Sequence, residues 1–269
     1  MKKLVKKILI KLKLLEPKGT SSSDKITFPG GIFPINDTQP EDVFIVGFPK
    51  SGNTLMQHII THLVYGINEN VSTTLMFLIV PDVYSSSQYY RLNPICFFKS
   101  HERPQPNYKK VIYLLRDGRE AMLSYYHMVK NMGIDISLED LYSGKISIHG
   151  GMWHEHVNEW EKNPYKADIL FVKYEDLITD KMKVLEQLCN FLKINRSIEE
   201  LEKVIEYTSF NFMKNLEKNE DWSRMKKEVN FNKGSFVRKG AINSFKEEVT
   251  EDLLKTFVQN SKNNFYDFQ

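Results

Sequence analysis

The chain has 269 residues, 41% of them hydrophobic and 26% charged, with a formal net charge of +3. That is enough to bury one full core and is ordinary for a globular protein; it does not suit a disordered chain or a general nucleic-acid binder. Two cysteines, Cys96 and Cys189, both in apolar or helical patterns, exclude a disulfide framework or a zinc site, and no apolar run reaches the length of a membrane span.

The charge is uneven. Residues 1–18 carry seven lysines against one glutamate, so the body is mildly acidic. In residues 2–15, Leu4, Val5, Ile8, Leu9, Leu12 and Leu15 share one helical face, with lysines mostly opposite. This basic amphipathic pattern suits peripheral contact with an anionic membrane surface; a helix packed on the body or a frayed end is the other reading. Lysines every two or three positions do not fit a secretory signal, so a cytoplasmic location is expected. Pro17 and the run Gly19–Asp24 read as a linker, which divides the chain into an N-terminal segment, 1–24, and one domain, 25–269.

Val43 to Val46 reads as a buried strand, followed by Gly47-Phe48-Pro49-Lys50-Ser51-Gly52-Asn53-Thr54 and then by helical spacing at Leu55, Met56, Ile59, Ile60 and Leu63. A strand, a glycine turn and a helix start aim backbone N–H groups at one point, a phosphate site, and Lys50 adds a mobile charge there. The order is not GxxxxGK[ST], so it is not a Walker A loop.

Residues 66–94 read as irregular. A strand from Ile95 to about Lys99 ends in Lys99-Ser100-His101, and Val111 to Leu115 is another buried strand. Arg116 then sits at a strand's carboxyl end, where open α/β sheets bind ligands, and Asp117 is placed to cap a helix running to about Lys130. Ser124 lies two turns along that helix, so Arg116 and Ser124 can grip one anion together. A helix over 150–162 follows, with Trp153, Val157 and Trp160 on one side, and then a fourth strand, Ile169 to Val172. Helical patterns dominate from Asp176 to about Leu216. Residues 217–235 read as a loop or lid, Phe236-Val237-Arg238-Lys239-Gly240 offers two adjacent cations before a glycine, and a last helix begins near Thr250. Strands alternating with helices predict an α/β single domain with a central, mainly parallel sheet flanked by helices.

Each motif alone also has a plain structural reading: a glycine turn, an Arg–Asp pair, a solvated basic turn, a histidine at a strand end. Together they fit a nucleotide with phosphates at two separated positions. No acidic pair suited to magnesium lies near the loop, so metal-free transfer is expected.

The motifs, in this order over roughly residues 40–250, resemble the sulfotransferases that use 3′-phosphoadenosine 5′-phosphosulfate (PAPS), most closely the cytosolic type. FPKSGNT is similar to their 5′-phosphosulfate loop, LLRDGREAMLSYYH to their 3′-phosphate segment and FFKSHERP to the stretch with the catalytic histidine. HGGMWHEHVNEWEKN, FVKYEDL, YTSFNFMKN and SFVRKG match further blocks. The resemblance implies a P-loop-like fold with PAPS as co-substrate. Lys50, Ser51, Gly52, Asn53 and Thr54 would hold the 5′-phosphosulfate. Arg116, Ser124, Arg238, Lys239 and Gly240 would hold the 3′-phosphate. Tyr174, Thr208, Ser209 and Phe210 would contact adenosine, with Phe236 beside it. His101 would be the general base, Lys99 would steady the sulfuryl group, and Lys50 would meet charge on the leaving oxygen. The acceptor would be a hydroxyl on an alcohol, phenol, sugar or lipid.

The sequence departs from the family pattern at Leu55, where a Trp stacks on adenine, and at Asn53 in place of Thr. It also departs at Glu102-Arg103 in place of Leu-Pro and at Asn243-Ser244-Phe245 in place of Gly-Asp-Trp. Oligomeric state is left open. Two alternatives stand beside this reading, a P-loop nucleotide kinase and a catalytically silent nucleotide- or membrane-binding protein.

Overall fold

The computed structural model describes residues 35–67, 71–84, 86, 89–146, 148–219, 240 and 242–261. The basic segment 2–15, the domain boundary at residue 24, most of the expected lid, and Phe236, Arg238 and Lys239 lie outside the described residues.

Among the described residues four strands form one parallel sheet in the order β2-β1-β3-β4: β1 (Val43–Gly47), β2 (Phe97–Ser100), β3 (Lys110–Leu115) and β4 (Asp168–Lys173). β1, β3 and β4 contain the apolar runs that predicted them, whereas β2 begins at Phe97, two residues into the run expected from Ile95, which is 41% exposed. β1 is buried along its whole length, as a central parallel strand must be when both faces are covered. Its side chains alternate strictly between two cores. Val43 and Ile45 join Ile112 and Leu114 under helix α1 (Asn53–Tyr65), whose Met56, Ile59, Ile60 and Leu63 fill that face. Phe44 and Val46 join Tyr113 and Leu115 under α3 (Gly118–Asn131), with Trp153, Val157 and Trp160 of α5 (Trp153–Lys162).

The helices after β1 and β3 therefore leave on opposite faces of the sheet. The carboxyl ends of these adjacent strands frame the crevice expected at a topological switch point.

Two short helices lie where none was expected. α2 (Thr73–Ile79) starts at Ser72, whose hydroxyl accepts from the Leu75 N–H at 3.2 Å, and α4 (Leu138–Tyr142) starts at Ser137. Both span too few residues for periodicity to show. The helix expected from residue 150 begins at 153 because Gly150 and Gly151 take φ of 89° and 84°. The helical region after β4 divides into α6 (Tyr174–Thr179), α7 (Lys181–Leu192), α8 (Ile198–Tyr207) and α9 (Phe210–Asn219). The short α10 (Phe245–Glu248) and α11 (Glu251–Asn260) follow, the latter starting just after Thr250 as expected.

Candidate active site

The turn after β1 is tight: the Ser51 N–H donates to Phe48 O at 3.1 Å, and Lys50 and Gly52 both adopt left-handed φ, 71° and 99°. A left-handed φ is costly for a lysine. Gly52 is required, since a Cβ there would lie 2.8 Å from the Tyr174 ring. Gly52 also caps α1 without a side-chain hydrogen bond, and the first turn of α1 holds no acidic residue. The first N–H groups of α1 thus keep their positive end of the helix dipole unopposed. Ser51 Oγ and Asn53 Oδ1 are buried without a hydrogen-bond partner among the described residues. The Ser51 hydroxyl, with a proton to donate beside an uncapped helix start and a lysine, fits a phosphate- or sulfate-like anion.

Arg116, leaving β3, spans the crevice: its Nη1 donates to Lys50 O at 2.6 Å. Its guanidinium lies 4.2 Å from the centre of the Tyr174 ring, and its Nη2 is 3.5 Å from Glu120 Oε2. Asp117 caps α3 by accepting from the Arg119 N–H, as the sequence predicts. Ser124 lies one turn beyond Glu120 on the same side of α3, and both are buried. Sequence reasoning missed Glu120. Its carboxylate accepts from Ser244 Oγ at 3.0 Å and from the Phe245 N–H at 2.9 Å, so it ties the segment after Gly240 to the helix that follows Arg116 and carries Ser124. A Cβ on Gly240 would run into the Phe210 ring, so this glycine packs against α9.

His101 follows β2. Its Nδ1 lies 2.8 Å from the carbonyl oxygen of Gly47. A carbonyl only accepts, so Nδ1 carries the proton and Nε2 keeps its lone pair. Burial first, and then the neighbouring Lys99 ammonium, push the imidazole down to about 3, so it is neutral at physiological pH. The loop behind it is locked: His156 Nε2–H donates to His101 O at 3.2 Å, Tyr113 O–H donates to His156 Nδ1 at 2.8 Å, and Trp160 Nε1–H donates to Glu102 O at 3.0 Å.

Lys99 pairs with Asp82 at 3.0 Å. Burial alone would raise the Asp82 carboxyl, but Lys99, His101 and the Tyr84 N–H outweigh it and hold it at about 2. Asp82 was not foreseen, because it lies in the stretch read as irregular, where no spacing marks it. The two charges after His101 part ways. Arg103 turns to α5, donating to Gly150 O at 3.1 Å and pairing with Glu155 at 2.7 Å. Glu102 pairs with His149 at 3.0 Å, and Tyr84 packs edge-on against His149.

The structure thus joins the Lys50 loop, Arg116 and Tyr174 directly, and joins His101 to the loop's parent strand. Thr208 and Ser209 lie between α8 and α9 with their hydroxyls engaged inward, Thr208 Oγ1–H donating to Val204 O at 2.6 Å and Ser209 Oγ accepting from the Phe212 N–H at 3.3 Å. Phe210 stays partly exposed.

Residues 40–269 match the family model described as a sulfotransferase domain. The chain is 32% identical over 182 residues to a 3-beta-hydroxysteroid sulfotransferase of Cavia porcellus, a match covering 66% of this chain and 61% of that relative. It is 25% identical to an amine sulfotransferase of Oryctolagus cuniculus, covering 86% of this chain and 83% of the relative. In fold it is similar to retinol dehydratase in complex with androsterone and inactive cofactor PAP (TM-score 0.69, 19% identity, covering 86% and 84%). Mouse sulfotransferase SULT7A1 complexed with PAP is likewise similar (TM-score 0.65, 20% identity, covering 83% and 84%). With the phosphate-type turn after β1, the arginine after β3 and the histidine after β2 at the carboxyl ends of the strands of a parallel sheet, the chain belongs to the sulfotransferase family.

Proposed function

We propose that the chain transfers a sulfuryl group from PAPS to a hydroxyl of a small-molecule acceptor, with His101 as general base. The observation that carries this reading is the single tautomer of His101. A neutral imidazole whose Nδ1–H is spent on Gly47 O presents Nε2 as a proton acceptor next to the Lys50 loop.

In the proposed step the acceptor oxygen attacks sulfur, and its proton passes to His101 Nε2. The bond between sulfur and the 5′-phosphate oxygen breaks, and that oxygen's charge is met by Lys50 and the first N–H groups of α1. Transfer of this kind needs alignment and charge stabilisation more than covalent chemistry. Lys99, oriented by Asp82, supplies a cation on the β2 side. Arg116 and Ser124, with Arg238, Lys239 and Gly240 of the following segment, would hold the 3′-phosphate. The relatives named for steroid and amine substrates, and the androsterone complex, support a small-molecule acceptor.

The test is calorimetric titration with adenosine 3′,5′-bisphosphate against AMP, without metal, followed by transfer assays on a panel of alcohols and phenols. Strong preference for the bisphosphate together with transfer supports the reading. No preference and no transfer to any acceptor sinks it.

A further inference from the structure

Lys181, the first residue of α7, holds a half-buried ammonium in an unusual setting. Its Nζ donates to Thr208 O at 2.7 Å and to Thr208 Oγ1 at 3.3 Å. Among the described residues no carboxylate pairs with it, and burial is the sole cause that pushes its ammonium down, to about 8. A half-buried lysine without a counter-ion is costly, and an ammonium has three donors, of which two are spent on one residue.

The neighbouring Thr208 cannot serve a ligand as donor. It is 1% exposed, and its hydroxyl proton goes to Val204 O. The groups in this corner with a donor to spare are therefore the Lys181 ammonium and the Ser209 hydroxyl, which accepts from the Phe212 N–H. Met182, the next residue, and Leu55 of α1, which directly follows the Lys50–Thr54 turn, both pack against the broad apolar cluster that fills this face of the sheet. Leu55 offers no aromatic face to a base, so a nucleotide seated over this turn has to be recognised by other means.

We propose that Lys181 is a base-recognition residue, donating its third N–H to a ring nitrogen of the bound nucleotide's adenine while its other two hold the Thr208–Phe210 segment in place. This rests on the reading of that segment as the adenosine contact. The ligand class is a purine with an unprotonated ring nitrogen. A lysine that merely satisfies the last carbonyl of α8 would stabilise the fold and would be indifferent to the base.

The experiment compares adenosine 3′,5′-bisphosphate with the abasic 1-deoxyribose 3,5-bisphosphate by calorimetry, on the full chain and on Lys181→Met and Lys181→Arg. The expected result is a loss of about tenfold or more in affinity for the adenosine ligand in Lys181→Met, no change for the abasic ligand, and recovery in Lys181→Arg. An equal loss for both ligands, or no loss, overturns the proposal and leaves helix capping as the role. Should the Met variant unfold, Lys181→Gln, which still donates to Thr208 O, carries the same comparison. If the unaltered chain binds neither ligand, the sulfotransferase reading of the site falls and this inference with it. If it binds both and every variant is blind to the base, only the inference falls.

Discussion

The Nδ1–H of His101 is donated to the carbonyl oxygen of Gly47 across 2.8 Å, joining the end of β2 to the last residue of β1. The bond fixes which ring nitrogen can take a proton and sets it beside the turn that begins at Phe48. Because the ring is held at about 3, the free enzyme carries it as a base throughout the physiological range. The profile of kcat/KM against pH should therefore show no acid limb near 6.5, the ordinary histidine value. A limb centred there would mean that His101 is solvated and charged in the free enzyme.

Replacing His101 by Ala should lower kcat by about 10²–10⁴-fold while leaving affinity for adenosine 3′,5′-bisphosphate within about twofold. On the proposed reading the base acts on the acceptor rather than on the nucleotide. Full activity in the variant would remove His101 from the mechanism.

Arg116 is expected to tolerate no substitution, lysine included. It donates to Lys50 O, lies over Tyr174 and approaches Glu120 with one planar group, which a point charge on a flexible stem cannot reproduce. Arg116→Lys should weaken binding of the bisphosphate by about 10–100-fold and erase its advantage over AMP. Retained discrimination between the two ligands would place the 3′-phosphate elsewhere.

Asp82→Asn should damage both rate and stability. The change leaves the Lys99 ammonium, 16% exposed, without its carboxylate, beside His101. Breaking such a pair costs about 3–5 kcal/mol when fully buried and less at this exposure. A drop in melting temperature together with reduced kcat is expected; an unchanged kcat would show that the Lys99 position does not matter to transfer.

His58 and His156 are 1% and 0% exposed, and burial first lowers them to about 3 and about 4. Both are neutral in the folded state, whereas the unfolded chain binds their protons below about 6.5. Unfolding therefore takes up protons in that window, and the stability these groups contribute above 6.5 is lost as pH falls through the folded values. The two together give a slope of about 3 kcal/mol per pH unit between pH 6 and 4. Urea unfolding at pH 7.5, 6 and 5 measures it; a flat midpoint would mean both rings reach solvent.

Much of this molecule was legible in its residues. The four apolar runs became the four strands because alternation in a sheet leaves a mark of period two and full burial leaves a continuous one. Asp117 was readable as a cap, since a short acceptor side chain before a helix serves the same purpose in most proteins. The turn at Lys50–Gly52 was readable too, because left-handed backbone calls for glycine and helix starts attract anions. The helices α2 and α4 were not, being too short for any period to repeat.

Residue types in chain order thus determined the elements, the sheet class and the candidate anion-binding and catalytic side chains. Only the tertiary structure decided how those side chains are primed. The tautomer of His101 depends on a carbonyl 54 residues earlier, and carbonyls are the same at every residue. The tether of Arg116 to Lys50 O, the pairing of Asp82 with Lys99 and the grip of Glu120 on Ser244 likewise join segments whose separation carries no local pattern. Hydrophobic period and cap chemistry act over a few residues and can be read along the chain. The protonation state, orientation and partner of a polar group are set by whatever the fold brings within about 3 Å of it.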